Sequence, residues 1–298
     1  MTDGTVGLIG LGNMGQPMAT LLARAGYRTR AFDASSAALE AAASAGIDAA
    51  SSAADIARTC ETVILMLPSS DIVDAVAGEM LDIDGRVATL FIDMSSSVPA
   101  RTVALAERCA ARGVRLIDAP VSGGVVRARS GELTIMVGGA EEDVQSVEDV
   151  LAVLGSRVVR VGEVGAGHAT KALNNLLSAT HLLATNEAVL AAREFGIDPA
   201  VFLEVVNSSS GRSGSSELKL PRYVLTGAFD SGFSAALLEK DVNIALGVEH
   251  ALGVPAPVSE AAGARWADLR SRLDEGADHT EIIRPVERDL GRELRSHG

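Results

Sequence analysis

The feature that most constrains this chain is a set of three glycines, Gly10, Gly12 and Gly15. They stand between an apolar segment, TVGLIG at 5–10, and a helix-like segment, PMATLLARAG, that closes at Gly26. A strand, then GxGxxG, then a helix allows a tight turn and lets a pyrophosphate approach the helix N-terminus closely. Asn13 and Met14 complete that turn. The next strand, RTRAFD, ends at Asp33, eighteen residues past Gly15. An acid there can accept hydrogen bonds from the ribose hydroxyls of an adenosine. Ala34, Ser35 and Ser36 follow it, with no arginine, so a 2′-phosphate would meet a carboxylate and no cation. NAD is the expected cofactor. NADP is the alternative, because Arg28 and Arg30 stand on the same strand.

Strand and helix signals then alternate. TVILML runs into Leu67-Pro68, a helix is expected over 70–81, and ATLFID runs into Ser95-Ser96. A helix over 99–112, VRLID leading to Ser122-Gly123-Gly124, LTIMVGG, a helix over 141–154 and RVVRVG follow. Repeated βα units imply a mainly parallel sheet covered by helices on both faces. Ligands of such sheets sit beyond the carboxyl ends of the strands, where Leu67, Pro68, Ser96 and Ser122 to Gly124 all fall.

After Gly162 the strand signals stop. The stretch from Gly165 to Gly196 reads as one long helix, uncharged from Ala172 to Asn186, with Leu173, Leu176, Leu177, Leu182 and Leu183 leaving almost no polar face. Such a helix is buried in a core or between subunits. Yet Lys171 stands at its front, and Asn175 shares its face one turn on. The lysine either snorkels from the helix end or handles a proton, its pKa lowered by burial or by an oxidised nicotinamide. His168 and His181 read as packing residues. In the helix expected over 234–252, Leu237, Asp241, Ile244, Ala245 and Val248 make one stripe, so Asp241 should point inward. Its expected partner is Lys171 or Lys240, either orienting a catalytic lysine or forming a structural ion pair. Ser122, Gly123 and Gly124 offer a hydroxyl and bare backbone N–H groups, as a carboxylate nest or a plain turn. Arg212 is an anion clamp or a surface arginine. The charged tail from Asp274 reads as a solvated helix.

Taken together, GLGNMGQPMA, MLP, IDMSS, DAPVSGG with SGELTIMVGG, GAGHATKALNN and EKD resemble the β-hydroxyacid dehydrogenase family over about residues 5 to 265. Its members include 3-hydroxyisobutyrate dehydrogenase and tartronate semialdehyde reductase. The resemblance implies an α/β chain: a doubly wound Rossmann sheet in the N-terminal domain, 1–163, and an all-helical substrate and oligomerisation domain, 164–298, joined by the long helix. It also implies roles: Lys171 as the catalytic lysine, Asn175 as the substrate-binding asparagine, and Ser122, Gly123 and Gly124 as the carboxylate loop. Ser96 would lie near nicotinamide and substrate, Lys240 on the cofactor side with Asp241 beside it, and Phe233 over the nicotinamide. The sequence departs from the family at Arg127, where many members have glycine, at Glu132, where many have threonine, and at Gly214, where some members have an aromatic.

The expectation is an NAD-dependent dehydrogenase acting on a short 3-hydroxy acid or its semialdehyde. Three other readings stand beside it: an NADPH-using semialdehyde reductase of the tartronate or sulfolactaldehyde type, an imine reductase, and a cofactor-binding module without turnover. Imine reductases typically lack the lysine. A net charge of -13 opposes nucleic acid and anionic membrane as partners. A small anionic substrate must then be held by a local site. Cys60 and Cys109 lie far apart, and no metal-ligand spacing is present. No signal peptide or membrane span is read, so the cytoplasm is the expected compartment, and the resemblance implies a homodimer or homotetramer.

Overall fold

The computed structural model describes residues 5–295. It divides into two compact units, the first running to Lys171 and the second starting at Ala172.

The first unit is built as β1 (Thr5–Ile9), α1 (Gly15–Arg24), β2 (Arg28–Phe32), α2 (Ser36–Ser44), β3 (Asp48–Ala49), α3 (Ala53–Thr59), β4 (Thr62–Leu65), α4 (Ser70–Leu81), β5 (Leu90–Asp93), α5 (Pro99–Ala110), β6 (Arg115–Asp118), β7 (Val121–Ser122), α6 (Gly124–Ser130), β8 (Thr134–Gly138), α7 (Glu141–Gln145), α8 (Glu148–Leu154) and β9 (Arg157–Gly162). The sheet order is β3-β2-β1-β4-β5-β6-β8-β7, with β9 paired to β8. From β3 to β6 every pair is parallel. β8 then turns against β6 and β7, and β9 runs parallel to β8. The parallel strands read as unbroken apolar runs because both faces are covered. Leu8, Ile64, Ile92 and Ile117 fill one face, and Ile9, Val63, Leu65, Phe91 and Leu116 the other.

Two local differences from expectation have simple causes. The helix over 141–154 is broken into α7 and α8 at Ser146-Val147. Val147 is buried in the core while α7 keeps no buried residue, so the chain turns inward at the break. The segment after Gly124 is a helix, α6, of seven residues that buries only Ala128 and so carries no apolar stripe to reveal it.

The second unit takes up α9 (Ala166–Glu194), which begins in the first. It continues with α10 (Pro199–Asn207), a π-helical segment (Ser215–Val224), α11 (Ala235–Ala251), α12 (Pro257–Arg270), a 3-10 turn (His279–Ile283) and α13 (Arg284–Leu290). Pro199 and Pro257 sit in the first turns of their helices, where a missing N–H costs nothing. Trp266, Leu182, Leu220, Val224, Ala235 and Ile282 are fully buried in its core. The tail differs from the solvated helix expected of it. Asp278 opens the 3-10 turn with a capping box closed by Glu281, and Ile282, Ile283 and Leu294 pack into the core. On α9 Leu176, Leu182 and Leu183 are buried as expected, but Leu177 is 57% exposed and Leu173 36%. Among the described residues no helix is long and apolar enough to cross a membrane.

Candidate active site

In the first unit the glycines of the β1–α1 turn have different duties. A Cβ on Gly10 would lie 2.2 Å from the Met66 carbonyl oxygen, and one on Gly15 would lie 1.8 Å from that of Gly10. Both positions must be glycine for the turn to pack. A Cβ on Gly12 would meet nothing within 4 Å. α1 starts at Gly15 with Met14 as its cap residue and no side-chain cap bond, so its first N–H groups keep the helix dipole available to an anion. The turn thus fits a dinucleotide pyrophosphate. Asp33 follows β2, and its carboxylate accepts from Leu11 N at 2.6 Å and from Ser35 N at 2.8 Å. Arg30 is held by Asp48 and Asp55 in ion pairs of 2.8 and 3.0 Å. That engagement answers for one of the two arginines that could have favoured a 2′-phosphate.

The carboxyl ends of β4 and β5 are tied together by Ser95, whose hydroxyl accepts from Leu67 N at 2.9 Å. Asp93, fully buried, accepts from Ser95 N and from the Ser97 hydroxyl. This leaves Ser96 half-buried between two fixed serines. Asp118, at the end of β6, accepts from Gly165 N at 2.6 Å and from His168 N at 2.7 Å, capping α9 from across the sheet. Burial pushes the Asp118 carboxyl up, against the pull of His168 and these N–H bonds. His168 is buried, with Nδ1 2.8 Å from the Thr102 hydroxyl and Nε2 3.1 Å from the Ser95 carbonyl. It therefore locks the start of α9 to α5 and to the serine loop, three residues before Lys171. Asp118→Ala would leave two buried N–H groups without an acceptor, and each costs about 1–3 kcal/mol. We expect a loss of roughly 2–6 kcal/mol in denaturant unfolding of the variant.

Gly123 and Gly124 take left-handed backbone angles, φ +134° and +67°, which turn the chain from β7 into α6. The stem of Arg127 lies over Gly123: a Cβ there would be 2.7 Å from Arg127 Cδ. Glu132 accepts from the Ser130 hydroxyl at 2.8 Å. Lys171 lies half-buried near the start of α9.

In the second unit Asp241 is 2% exposed, as expected. The buried stripe of α11 is Leu238, Asp241, Val242 and Ala245, whereas Leu237 faces outward. Its hydrogen-bond partner was missed by sequence reasoning: Asn175 Nδ2 donates to Asp241 Oδ2 at 2.6 Å. Lys240 Nζ stands 3.8 Å from Asp241 Oδ1. Gly214 precedes the π-helical segment, and a Cβ there would meet nothing within 4 Å. Arg212 is exposed in the same loop.

Comparison with known proteins places this geometry. Residues 5–162 match the model of the NAD binding domain of 6-phosphogluconate dehydrogenase, and residues 165–286 that of the NAD-binding domain of NADP-dependent 3-hydroxyisobutyrate dehydrogenase. The mitochondrial 3-hydroxyisobutyrate dehydrogenase of Drosophila melanogaster is 38% identical over 263 residues, 86% of this chain and 81% of that protein. The chain belongs to the β-hydroxyacid dehydrogenase family. It is an NAD(P)-dependent 3-hydroxyacid dehydrogenase, an oxidoreductase acting on CH–OH groups. The 2-(hydroxymethyl)glutarate dehydrogenase of Eubacterium barkeri is 36% identical over 260 residues, 86% of each chain. The solved structure of Mycobacterium tuberculosis 3-hydroxyisobutyrate dehydrogenase with L-serine superposes with a TM-score of 0.87 at 30% identity, covering 95% of this chain and 99% of that one.

In this dehydrogenase Phe233 sits in a latched turn. Its carbonyl accepts from His279 Nδ1 at 3.1 Å, and the two rings meet edge to face with centroids 5.7 Å apart. Asp278 accepts from the Ser231 hydroxyl at 2.7 Å, Gly232 N at 3.0 Å and the Thr280 hydroxyl at 2.6 Å. Burial would push Asp278 up, but bonds from His279, Ser231 and Thr280 outweigh it and hold the carboxyl well below the usual range. A carboxyl depressed in the fold gives stability that is complete above its unfolded value, about 4, and is lost as pH falls through the folded value. The wild type should therefore lose stability below about pH 4. Asp278→Ala should cost about 1–3 kcal/mol at neutral pH and flatten that acid limb. Acid melts of both proteins check this; identical limbs would contradict it.

Proposed function

We propose that this protein transfers hydride between NAD and a short 3-hydroxy acid or its semialdehyde, 3-hydroxyisobutyrate-like, with Lys171 as the general acid and base. Gly10, Gly12, Asn13, Met14 and Gly15 hold the pyrophosphate, and Asp33 takes the ribose hydroxyls and repels a 2′-phosphate. Leu67, Pro68, Ser96, Lys240 and Phe233 serve the nicotinamide side. Ser122, Gly123 and Gly124 bind the acid group, and Asn175 binds a substrate oxygen. The nicotinamide, when bound, supplies the hydride acceptor or donor. The chain then has to handle one proton. Neutral Lys171 takes the hydroxyl proton in oxidation, and its ammonium returns it to the carbonyl oxygen in reduction. Asp241 orients: while the Asn175 carbonyl oxygen accepts from Asn174 Nδ2 at 3.3 Å, Asp241 holds the Asn175 amide nitrogen.

The observation that carries this reading is that bond, which fixes a buried amide on the same helix face as Lys171, one turn away. A lysine snorkelling for solubility would need no such neighbour. The test is initial rates with NAD and NADP across short 3-hydroxy acids and sulfonates. The expected result is turnover of carboxylates with NAD favoured at least about tenfold, the effect of roughly 1.4 kcal/mol at the ribose. No turnover of any 3-hydroxy acid would dismiss it in favour of a binding module.

We further propose a cytoplasmic homodimer or homotetramer. Leu177, Phe195, Val201 and Val205 are more than half exposed, on α9, α10 and the link between them, and a second copy would cover them. Sedimentation should show a dimer or larger; a monomer at micromolar concentration would contradict it.

A further inference from the structure

The start of α9 is tied down twice, and the two ties differ in kind. The Asp118 carboxylate takes the backbone N–H groups of Gly165 and His168, which supplies the helix end with acceptors. The His168 side chain bonds elsewhere: Nε2 to the Ser95 carbonyl and Nδ1 to the Thr102 hydroxyl. A carbonyl oxygen only accepts, so Nε2 carries a proton. In the neutral ring Nδ1 then accepts from Thr102, which fixes the tautomer. The buried carboxylates of Asp93 and Asp118 flank the ring at 3.8 and 3.7 Å. A leucine would fill this buried place without the cost of desolvating two ring nitrogens.

What the imidazole adds is a hold on one peptide. The Ser95 carbonyl and the Ser96 N–H lie in one plane and point in opposite directions. Holding the carbonyl therefore sets the direction of the Ser96 N–H and the course of the chain through Ser96. Lys171 stands three residues past His168 on the same helix face. One buried ring thus sets the spacing between the Ser96 backbone and the turn that carries Lys171.

We propose that His168, its tautomer set by Thr102, is a positioning residue for the hydride and proton step, acting on kcat and not on binding. This rests on the reading of Ser96 and Lys171 as parts of the reacting site. A reacting geometry displaced by about 1 Å loses on the order of a hundredfold in rate, while ground-state contacts tolerate such a shift.

The experiment measures kcat per NADH-binding site, KM, NADH Kd and the isotope effect with 3-hydroxyisobutyrate deuterated at the hydride-bearing carbon. His168→Leu should lower kcat about ten- to a hundredfold and raise the isotope effect, while KM and Kd change less than about threefold. His168→Gln keeps a side-chain N–H donor and should recover most of that kcat. Thr102→Val removes one hydroxyl at nearly constant shape; it should lower kcat about three- to tenfold and add little to His168→Leu. Counting sites leaves out unfolded protein, so a purely structural role moves the melting temperature and leaves kcat per site in place. Unchanged kcat per site in Thr102→Val, or equal losses in His168→Gln and His168→Leu, overturns the proposal and leaves the Lys171 reading standing. Should His168→Leu fail to fold, the glutamine and valine variants decide: near wild-type kcat in the first with a loss in the second supports the proposal, and any other pair overturns it. A wild type that turns over no 3-hydroxy acid overturns the underlying reading as well.

Discussion

Replacing Lys171 with alanine should cut kcat for oxidation of a short 3-hydroxy acid by about a thousandfold, within the 10²–10⁴ range of a positioned general base. NADH affinity should stay within about threefold, because Lys171 is not among the proposed nucleotide contacts, which lie on the β1–α1 turn, at Asp33 and at Leu67, Pro68, Ser96, Lys240 and Phe233. Lys171 is in the second turn of a helix whose start is fixed by Asp118 through two backbone bonds and by His168 through two more. A side chain on so fixed a base can hold a reacting proton within hydrogen-bond reach without reordering the chain, which is what proton transfer in the transition state demands. Lys171→Arg should rescue little, since a guanidinium does not release its proton at working pH. Turnover and fluorescence titration of NADH on each variant check the pair of expectations.

Gly12→Val should abolish dinucleotide binding while barely changing stability. The side chain would meet no protein atom within 4 Å of its Cβ, and Gly12 does not take a left-handed backbone angle. A substitution without cavity, clash or strain alters stability by at most about 0.5 kcal/mol. The bulk instead fills the space where a pyrophosphate must approach the N-terminus of α1. We expect the NADH Kd to rise at least about a hundredfold, roughly 2.7 kcal/mol, with an unchanged denaturation midpoint. Gly15→Ala is the contrast: its Cβ would fall 1.8 Å from a backbone carbonyl, so it should unfold the turn and lose binding and stability together. Loss of binding with unchanged melting at Gly12, and of both at Gly15, separates a ligand role from a packing role.

Much of this was legible because local rules wrote it. Parallel strands buried on both faces are apolar runs, and Ser69 caps α4 at the position where that helix was expected to start. The glycines of the first turn and the placement of Asp33 are equally local. What escaped was non-local. Asp118 is 47 residues from Gly165 and 50 from His168, so no window of sequence reveals a capping bond that only the sheet creates. Asn175 and Asp241 are 66 residues apart, so the sequence revealed the neighbouring ion-pair partner Lys240 but not the amide that bonds Asp241. The tail misled through composition. Its charges are exposed in part, yet Glu287 is buried because Arg295 and the Leu294 N–H both bind it, and that lets Leu294 reach the core. Short elements such as β7 and α6 are specified by their neighbours more than by their own residues.

The proposed role of the Lys171 amine as the group that carries the proton is tested by the pH profile of kcat/KM for hydroxy-acid oxidation, measured on the wild type and on Lys171→Ala. The wild-type rate should rise with pH along a single limb, and the residual rate of the variant should be flat over the same range. The same limb in both proteins would contradict it, and would assign the proton to another group.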